Sequence, residues 1–163
     1  MPRLTDILKI AALFLIVVIA IVLYQVTTVR GPETNLETSL PSGELPIISR
    51  VAPDLLIINN LPIQLDLADT KEKQTLGLSG RTSLSKEEGM LFIFDQPKNW
   101  GFWMKEMFFP IDIIWLDDNY QPVYVVQNVQ PESYPRTFYP PAPARYVLEV
   151  NAGVWQEALL STD

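Results

Sequence analysis

The sequence predicts a mainly β fold, either a single compact β-sandwich or a partly open barrel, with one or two short helices and a preceding N-terminal transmembrane helix. Three observations predict it. Residues 10–24 form an unbroken apolar run that residues 26–29 prolong. Between Pro62 and Asp69, apolar and more polar residues alternate with a period of two, as in a half-buried strand. Further short apolar runs are separated by turn-forming residues, a pattern typical of all-β domains.

The apolar run is long enough to cross a bilayer. As a helix, the 20 residues from 10 to 29 extend about 30 Å, the thickness of the hydrocarbon core. A cleaved signal peptide is the alternative, but no small-residue cleavage site follows the run. Arg3 and Lys9 precede it and Arg30 alone follows immediately, which favours a cytoplasmic N-terminus. We expect a cytoplasmic tail at 1–9, a membrane anchor at 10–29, a linker at 30–45 and an extracytoplasmic β-rich domain at 46–163.

The strands of this domain are predicted from short runs rich in apolar, β-branched and aromatic residues. Pro131–Pro143 contains too many prolines for a central strand and is predicted to be a surface loop. Asp117-Asp118-Asn119 has the composition of a hairpin turn rather than the spacing of a calcium loop. The seven predicted strands lie at residues 55–60, 62–69, 89–94, 100–104, 111–116, 122–129 and 146–150.

Helical structure is predicted in three short segments. Asp69 and Glu72 have the spacing of a helix start, and Gly77 is the type of residue that ends a helix. Ser85–Glu88 is predicted to form another helical turn. Val154–Leu160 is predicted to be a short closing helix.

Two absences limit the chemistry of the chain, which contains no Cys and no His. Disulfides, thiol nucleophiles, His-dependent triads and the usual zinc ligands are therefore excluded, and we expect no cofactor and no metal site. Without the four charges up to Arg30, 9 basic and 18 acidic residues remain, a net charge of −9. Such a surface repels phosphate backbones, so nucleic acid is not an expected partner.

Four segments in series resemble one family. They are GLSGR from Gly77, EEGMLFIF from Glu87, FWMKEMFFPIDIIWLD from Phe102 and YVLEVNAG from Tyr146. Their order and spacing over about Leu56 to Gly153 are similar to those of the domain of unknown function 192 family. The resemblance implies a compact β-rich domain, often found behind an N-terminal signal or membrane helix, and no settled activity. The chain departs from the family pattern at Ser79, where Met is usual, and at Glu106-Met107, where Asn-Thr is usual.

Three charged residues within these motifs, Arg81, Asp112 and Glu149, are candidate binding residues. Asp112 and Glu149 are each flanked by apolar residues, so strand alternation favours outward-facing, solvated carboxylates. A structural ion pair with Arg81, whose planar guanidinium suits a carboxylate, is the second interpretation. The third makes Asp112 and Glu149 a catalytic pair, which requires a separation of about 5–10 Å.

A band of aromatic residues supplies the remaining candidates. Core packing is the first interpretation, and an apolar or sugar-stacking groove is the second. We expect Trp103 and Trp115 in the core, with Trp100 and Phe108 nearer an edge. Trp103 and the neighbouring Lys105 are also retained as candidate binding residues.

These features together predict a membrane-tethered extracytoplasmic binding or interaction domain, held to the membrane by residues 10–29, with an envelope protein or glycan as its partner. The scarcity of acid-base residues favours binding over catalysis. One alternative is a carboxylate-dependent hydrolase of an envelope glycan that uses Asp112 and Glu149. The other alternative is a passive structural component of an envelope complex.

Overall fold

The computed structural model describes residues 45–161. The predicted tail, the predicted anchor and all but the last residue of the predicted linker lie outside these residues. Within the described part of the chain, no helix has the length and apolar character needed to span a bilayer. The elements in chain order are β1 (Ile48–Ala52), β2 (Leu55–Ile58), β3 (Leu61–Ala68), α1 (Lys71–Leu76), β4 (Glu88–Lys98), β5 (Phe102–Trp103), β6 (Ile111–Leu116), β7 (Pro122–Val129), a 3-10 turn (Pro131–Ser133), β8 (Thr137–Phe138), β9 (Ala144–Asn151) and α2 (Val154–Leu160).

Seven of the strands form one sheet in the order β1-β2-β3-β4-β9-β6-β7, which curls into a half-barrel. Strands β3 and β4 are parallel, and the other neighbours are antiparallel. Strands β5 and β8 form a separate two-stranded sheet. The predicted mainly β fold with short helices is confirmed, and a single curled sheet is closer to a partly open barrel than to a sandwich.

Apolar side chains cover both faces of the central strands. One core contains Phe92, Trp115 and Val147, and the other contains Leu91, Ile114 and Leu148. Successive residues of a strand point to opposite faces, so each central strand contributes to both cores in alternation. All six residues of β6 are consequently buried. A polar residue on β6 or in the middle of β9 is therefore enclosed whichever face it occupies.

Local sequence accounts for several boundaries. The Thr70 side chain accepts a hydrogen bond from the backbone N–H of Lys73 and caps α1, and Gly77 ends that helix at a φ of 54°. Left-handed values of φ favour glycine because other residues carry a Cβ. Asp117 Oδ1 accepts from the backbone N–H groups of Asn119 and Gln121, which confirms the predicted hairpin turn between β6 and β7.

Other sequence-based predictions were wrong in detail. Ser85–Glu88 forms a turn leading into β4 instead of a helical turn, and the predicted strand at Trp100–Met104 contains only the two residues of β5. β8 lies inside the predicted loop at 131–143, and β1 was not predicted. The closing helix at Val154–Leu160 is confirmed.

Candidate functional site

Glu149 lies in the middle of the sheet, on the face that one of the two hydrophobic cores covers. On β9 it is paired with Met90 of β4 and with Ile113 of β6. Directly paired residues share a face of the sheet, and both neighbours belong to the same buried cluster as Phe92 and Trp115. Only 5% of Glu149 is exposed. The outward-facing, solvated position expected for this carboxylate was therefore wrong, because both faces of β9 are covered.

Glu149 is a largely buried residue, and its carboxyl group makes no hydrogen bond to any of residues 45–161. Burial raises its pKa from 4.5 to about 8, and the positive charge of Arg81 partly opposes that shift. The ion pair considered for Arg81 with Asp112 or Glu149 was wrong, because Arg81 pairs with Asp66 instead, with Nη2 2.6 Å from Oδ2. Glu149 is mainly protonated and uncharged at neutral pH.

Glu149 lines a pocket of about 140 Å³, called here the Glu149 pocket. Its walls come from the end of α1 and the segment that follows it, from β4, and from the segment around β5. Eight of its fourteen lining residues are apolar or aromatic, although polar atoms form the larger share of the lining surface, and Glu149 is the only ionisable side chain that residues 45–161 contribute. The lining residues are Gln74, Thr75, Leu76, Gly77, Leu78, Ser79, Phe92, Phe94, Trp100, Gly101, Phe102, Trp103, Met107 and Glu149.

Three polar side chains line the pocket with Glu149, and each has its hydrogens engaged by backbone carbonyl groups. Gln74 Nε2 donates to the carbonyl oxygens of Ala68 and Ile93. Thr75 Oγ1 donates to Lys71 O at 2.7 Å, and Ser79 Oγ donates to Lys105 O at 2.9 Å. An amide has two N–H hydrogens and a hydroxyl has one. These side chains can therefore offer a ligand only their oxygen atoms.

The aromatic wall of the pocket is fixed by ring packing and by one indole hydrogen bond. Phe94 stacks on Trp100 with ring centroids 4.0 Å apart, and Phe92 meets Phe102 edge to face at 4.8 Å. Trp115 Nε1 donates to the carbonyl oxygen of Trp100 at 2.8 Å. The buried Trp115 thus fixes the position of the segment around Trp100, which forms part of the aromatic wall. The pocket is therefore preformed in the described structure.

Gly101 lets this segment approach its neighbours closely. A Cβ atom at this position would overlap the ring of Tyr139 and lie 2.8 Å from the methyl group of Thr137. A larger residue at position 101 therefore requires the exposed Tyr139 ring and the Thr137 side chain to move.

Asp112 occupies the opposite face of the sheet. It pairs with Val150, one residue along β9 from Glu149, so the two carboxyl groups point away from each other. Asp112 is fully buried, which makes its expected solvated position wrong as well. The two carboxylates cannot flank one glycosidic bond, and the geometry gives no support to their use as a catalytic pair.

The carboxylate of Asp112 accepts three backbone hydrogen bonds. Oδ1 accepts from Asn128 at 2.8 Å, and Oδ2 accepts from Gly153 and Trp155 at 3.0 Å each. Asn128 lies at a bulge in β7 and has a φ of 52°, so Asp112 satisfies an N–H group that the ladder leaves free. Burial raises the pKa of Asp112, and these three bonds oppose that shift. Asp112 is a structural residue that joins β6, β7 and the start of α2.

The remaining candidate residues differ in their exposure and in their position relative to the Glu149 pocket. Trp103 is 53% exposed at the rim of the Glu149 pocket, so its predicted place in the core was wrong. Trp115 is fully buried and Phe108 is 66% exposed, as predicted. Lys105 lies outside the pocket with its side chain 49% exposed, and Nζ is 3.8 Å from the carboxylate of Glu106.

A wider depression of about 470 Å³ adjoins the Glu149 pocket on the other side of Trp103. The two share Thr75, Leu76, Ser79 and Trp103. Lys105 lines this second depression, so it can contact only a ligand that extends out of the Glu149 pocket. No group of three or more carboxylates within residues 45–161 is arranged as a metal site.

The sequence did not single out Phe92, Phe94, Gln74 or Ser79 as site residues. The two phenylalanines stand in the family-like segment EEGMLFIF, where a strand pattern predicts core positions equally well. The three polar side chains reach the pocket from α1 and the segment after it, and no local pattern predicts where that helix packs.

Comparison with known proteins gives a family and related structures. The model of the domain of unknown function 192 family, described as "Uncharacterized ACR", matches residues 56–163. No curated protein matches the chain. A protein of unknown function from Novosphingobium aromaticivorans shares 26% identity at a TM-score of 0.59, covering 80% of this chain and 94% of that one. A "putative transcription regulator" from Sinorhizobium meliloti shares 27% identity at a TM-score of 0.56, covering 59% and 74%.

Proposed function

We propose that this chain, which belongs to the domain of unknown function 192 family, is a membrane-tethered extracytoplasmic binding domain that takes a small ligand in the Glu149 pocket. One observation carries the proposal. Glu149, a residue that is 5% exposed and whose carboxyl group has no hydrogen-bond partner among residues 45–161, lines a pocket with five aromatic residues. Burial disfavours the charged form of this side chain, and a ligand that hydrogen-bonds to the carboxyl group offsets that cost.

Binding explains the arrangement better than catalysis by paired carboxylates does. General acid-base hydrolysis of a glycoside needs two carboxyl groups on either side of one bond. Asp112 points to the other face of the sheet, and its oxygens are engaged by three backbone N–H groups. In the Glu149 pocket, in contrast, four polar side chains converge among apolar and aromatic residues in a concave site, an arrangement that suits the binding of a small ligand.

A probe set tests pocket binding directly. Intact protein in mild detergent, with labelled methyl groups, is titrated with butylamine, butanol, butyramide and butyrate, which have similar size and different polar ends. We expect at least one probe to shift the signals of Leu78 and Met107 in the pocket lining while leaving Leu148, on the other face of the sheet, unchanged. The absence of any shift at Leu78 and Met107 with all four probes contradicts the proposed binding site.

The proposed location rests on the apolar run at residues 10–29 and is tested separately. The chain has no Cys, so a single introduced cysteine is the only thiol for a membrane-impermeant maleimide. Asp118→Cys, in the exposed hairpin turn, is expected to react in intact cells. Thr5→Cys, in the predicted cytoplasmic tail, is expected to react only after lysis. Labelling of Asp118→Cys only after lysis contradicts the extracytoplasmic location.

A further inference from the structure

The electrostatic character of the Glu149 pocket restricts the ligands that it can accept. Among residues 45–161, its only ionisable lining group is an acid, and no Lys or Arg of this part of the chain lines it. In the part of the chain that the structure describes, Arg81 is the one charged group that acts on Glu149, and its charge is balanced by Asp66 at 2.6 Å. The flanking residues on the neighbouring strands, Met90 and Ile113, are apolar. An anionic ligand therefore has no positively charged partner among the described residues that line the pocket.

The hydrogen-bonding capacity of the polar side chains in the lining restricts the ligand further. The hydrogens of Gln74, Thr75 and Ser79 are held by backbone carbonyl groups, so these side chains present acceptor oxygens. An ionised Glu149 also accepts only. The indole nitrogen of Trp100 is a donor, but it is buried from solvent and has no partner in the described structure. Together the polar side chains beside Glu149 suit a ligand group that donates several hydrogen bonds.

The size and the aromatic lining complete the description of the ligand group. The pocket volume of about 140 Å³ is close to that of a cavity of roughly 150 Å³ that accepts benzene, so the entering group has about five or six non-hydrogen atoms. Five aromatic residues line the pocket, and aromatic rings attract nearby cations through the negative charge of their faces. The whole chain is also acidic, with a net charge of −7, which raises the local concentration of cations.

We propose that the ligand group of the Glu149 pocket is a primary alkylammonium ion, whose N–H groups donate to the Glu149 carboxylate and to the oxygens of the polar side chains beside it. The inference rests on the proposed function and adds the ligand class. A primary ammonium has three donors and no acceptor, which matches the set of acceptors in the pocket. Its alkyl chain packs against the apolar and aromatic lining.

Binding of the cation is coupled to loss of a proton. Burial raises the pKa of Glu149 to about 8, so at pH 6 the carboxyl is mainly protonated, and it must release that proton to solvent to pair with the ammonium. An alkylammonium with a pKa near that of a lysine side chain stays charged over this range. Affinity is therefore expected to rise by at least about tenfold from pH 6 to pH 8. A neutral ligand that accepts a hydrogen bond from protonated Glu149 shows the opposite trend.

The test compares butylamine with butanol by shifts of the Leu78 and Met107 methyl signals at pH 6, 7 and 8, on the intact protein in mild detergent. We expect butylamine to bind more tightly than butanol at pH 8 and to weaken by at least about tenfold at pH 6. Glu149→Gln is expected to abolish both the preference and the pH dependence. Glu132→Gln, an exposed glutamate outside the pocket lining, is the matched control and is expected to behave as the wild type.

The outcomes separate this inference from the proposed function. Butanol binding as well as butylamine, or butylamine affinity that falls as the pH rises, overturns the ammonium assignment and leaves pocket binding intact. No binding by any of the four probes overturns both. A lysine with blocked α-amino and carboxyl groups distinguishes two sources of the ammonium group, a lysine side chain in a peptide and a free amine. Tighter binding than butylamine indicates a lysine side chain in a peptide, with its backbone in the depression beside Trp103, and equal binding indicates a free amine.

Discussion

Asp112 Oδ2 lies 3.0 Å from the backbone nitrogen of Trp155, and this hydrogen bond joins the central strand β6 to the first turn of α2. The same carboxylate binds the backbone of Gly153 and of Asn128. One buried side chain thus fixes a helix start and a strand bulge on the face of the sheet opposite the Glu149 pocket. The position that resembles a catalytic carboxylate in the sequence is used to hold the fold together.

Asp112→Ala is expected to lower the free energy of unfolding by about 3–5 kcal/mol, because it leaves three backbone N–H groups without their acceptor. Asp112→Asn keeps one acceptor oxygen and is expected to have a smaller effect. Urea unfolding followed by tryptophan fluorescence measures both. Asp118→Ala, in the exposed hairpin turn, is the control and is expected to change stability by less than about 0.5 kcal/mol. A loss of under 1 kcal/mol for Asp112→Ala would show that these bonds are not structural.

The stability of the domain is expected to fall as the pH rises, owing to Glu149. The unfolded chain loses the Glu149 proton near its ordinary pKa of 4.5, whereas the folded protein keeps it until about pH 8. The folded state therefore binds more protons between these two values, and the free energy of unfolding decreases across that window. Asp112, whose pKa is also raised, acts in the same direction.

Glu149→Gln isolates the contribution of Glu149, because Asp112 is common to both proteins. The variant is expected to match the wild type near pH 4 and to be more stable than it by about 3–5 kcal/mol above pH 8, where the wild type carries a buried charge. Urea midpoints at pH 4, 6, 7 and 9 provide the measurement. Parallel pH profiles for the two proteins would show that Glu149 is not the group responsible.

Glu106 is expected to be a position of backbone strain. Its φ is 57°, a left-handed conformation that glycine and asparagine adopt more readily than glutamate. The Asn implied here by the family resemblance is thus explained by the backbone, without a contact to a ligand. The ion pair between Glu106 and Lys105, which are 3.8 Å apart with both side chains exposed, contributes little to stability.

Glu106→Gly is therefore expected to raise the free energy of unfolding by about 0.5–1 kcal/mol. Lys105→Gly, at the neighbouring position without a positive φ, is expected to lower it. Thermal or urea unfolding distinguishes the two. Destabilisation by both variants would mean that the Glu106 side chain makes a contact that outweighs the strain.

The sequence was sufficient to predict most elements but not the environment of the charged residues. Alternation correctly placed Ile63 and Leu65 on a buried face, since they are 1% and 5% exposed. The same reasoning failed for Glu149, because it assumes one covered face and one solvated face. The β9 strand lies between β4 and β6 and is covered on both sides, which depends on long-range strand order.

The geometry of the candidate site also depends on long-range strand pairing, which the sequence pattern did not predict. Register explains why Asp112 and Glu149 diverge, and it follows from the pairing of β6 with β9, two strands far apart in the sequence. Trp103 was predicted in the core on its aromatic character alone. Its exposure follows from alternation along the two-residue strand β5, in which the neighbouring Phe102 points inward and is 8% exposed.

Carbon-13 NMR titration of the Glu149 carboxyl group in the intact protein tests the central claim most directly. In the empty protein we expect a midpoint near pH 8, and with saturating butylamine we expect it to fall by at least about one unit, because the cation stabilises the carboxylate. A midpoint near 4.5 in the empty protein, unchanged by the amine, would contradict the account, since it would describe a solvated carboxylate outside any binding pocket.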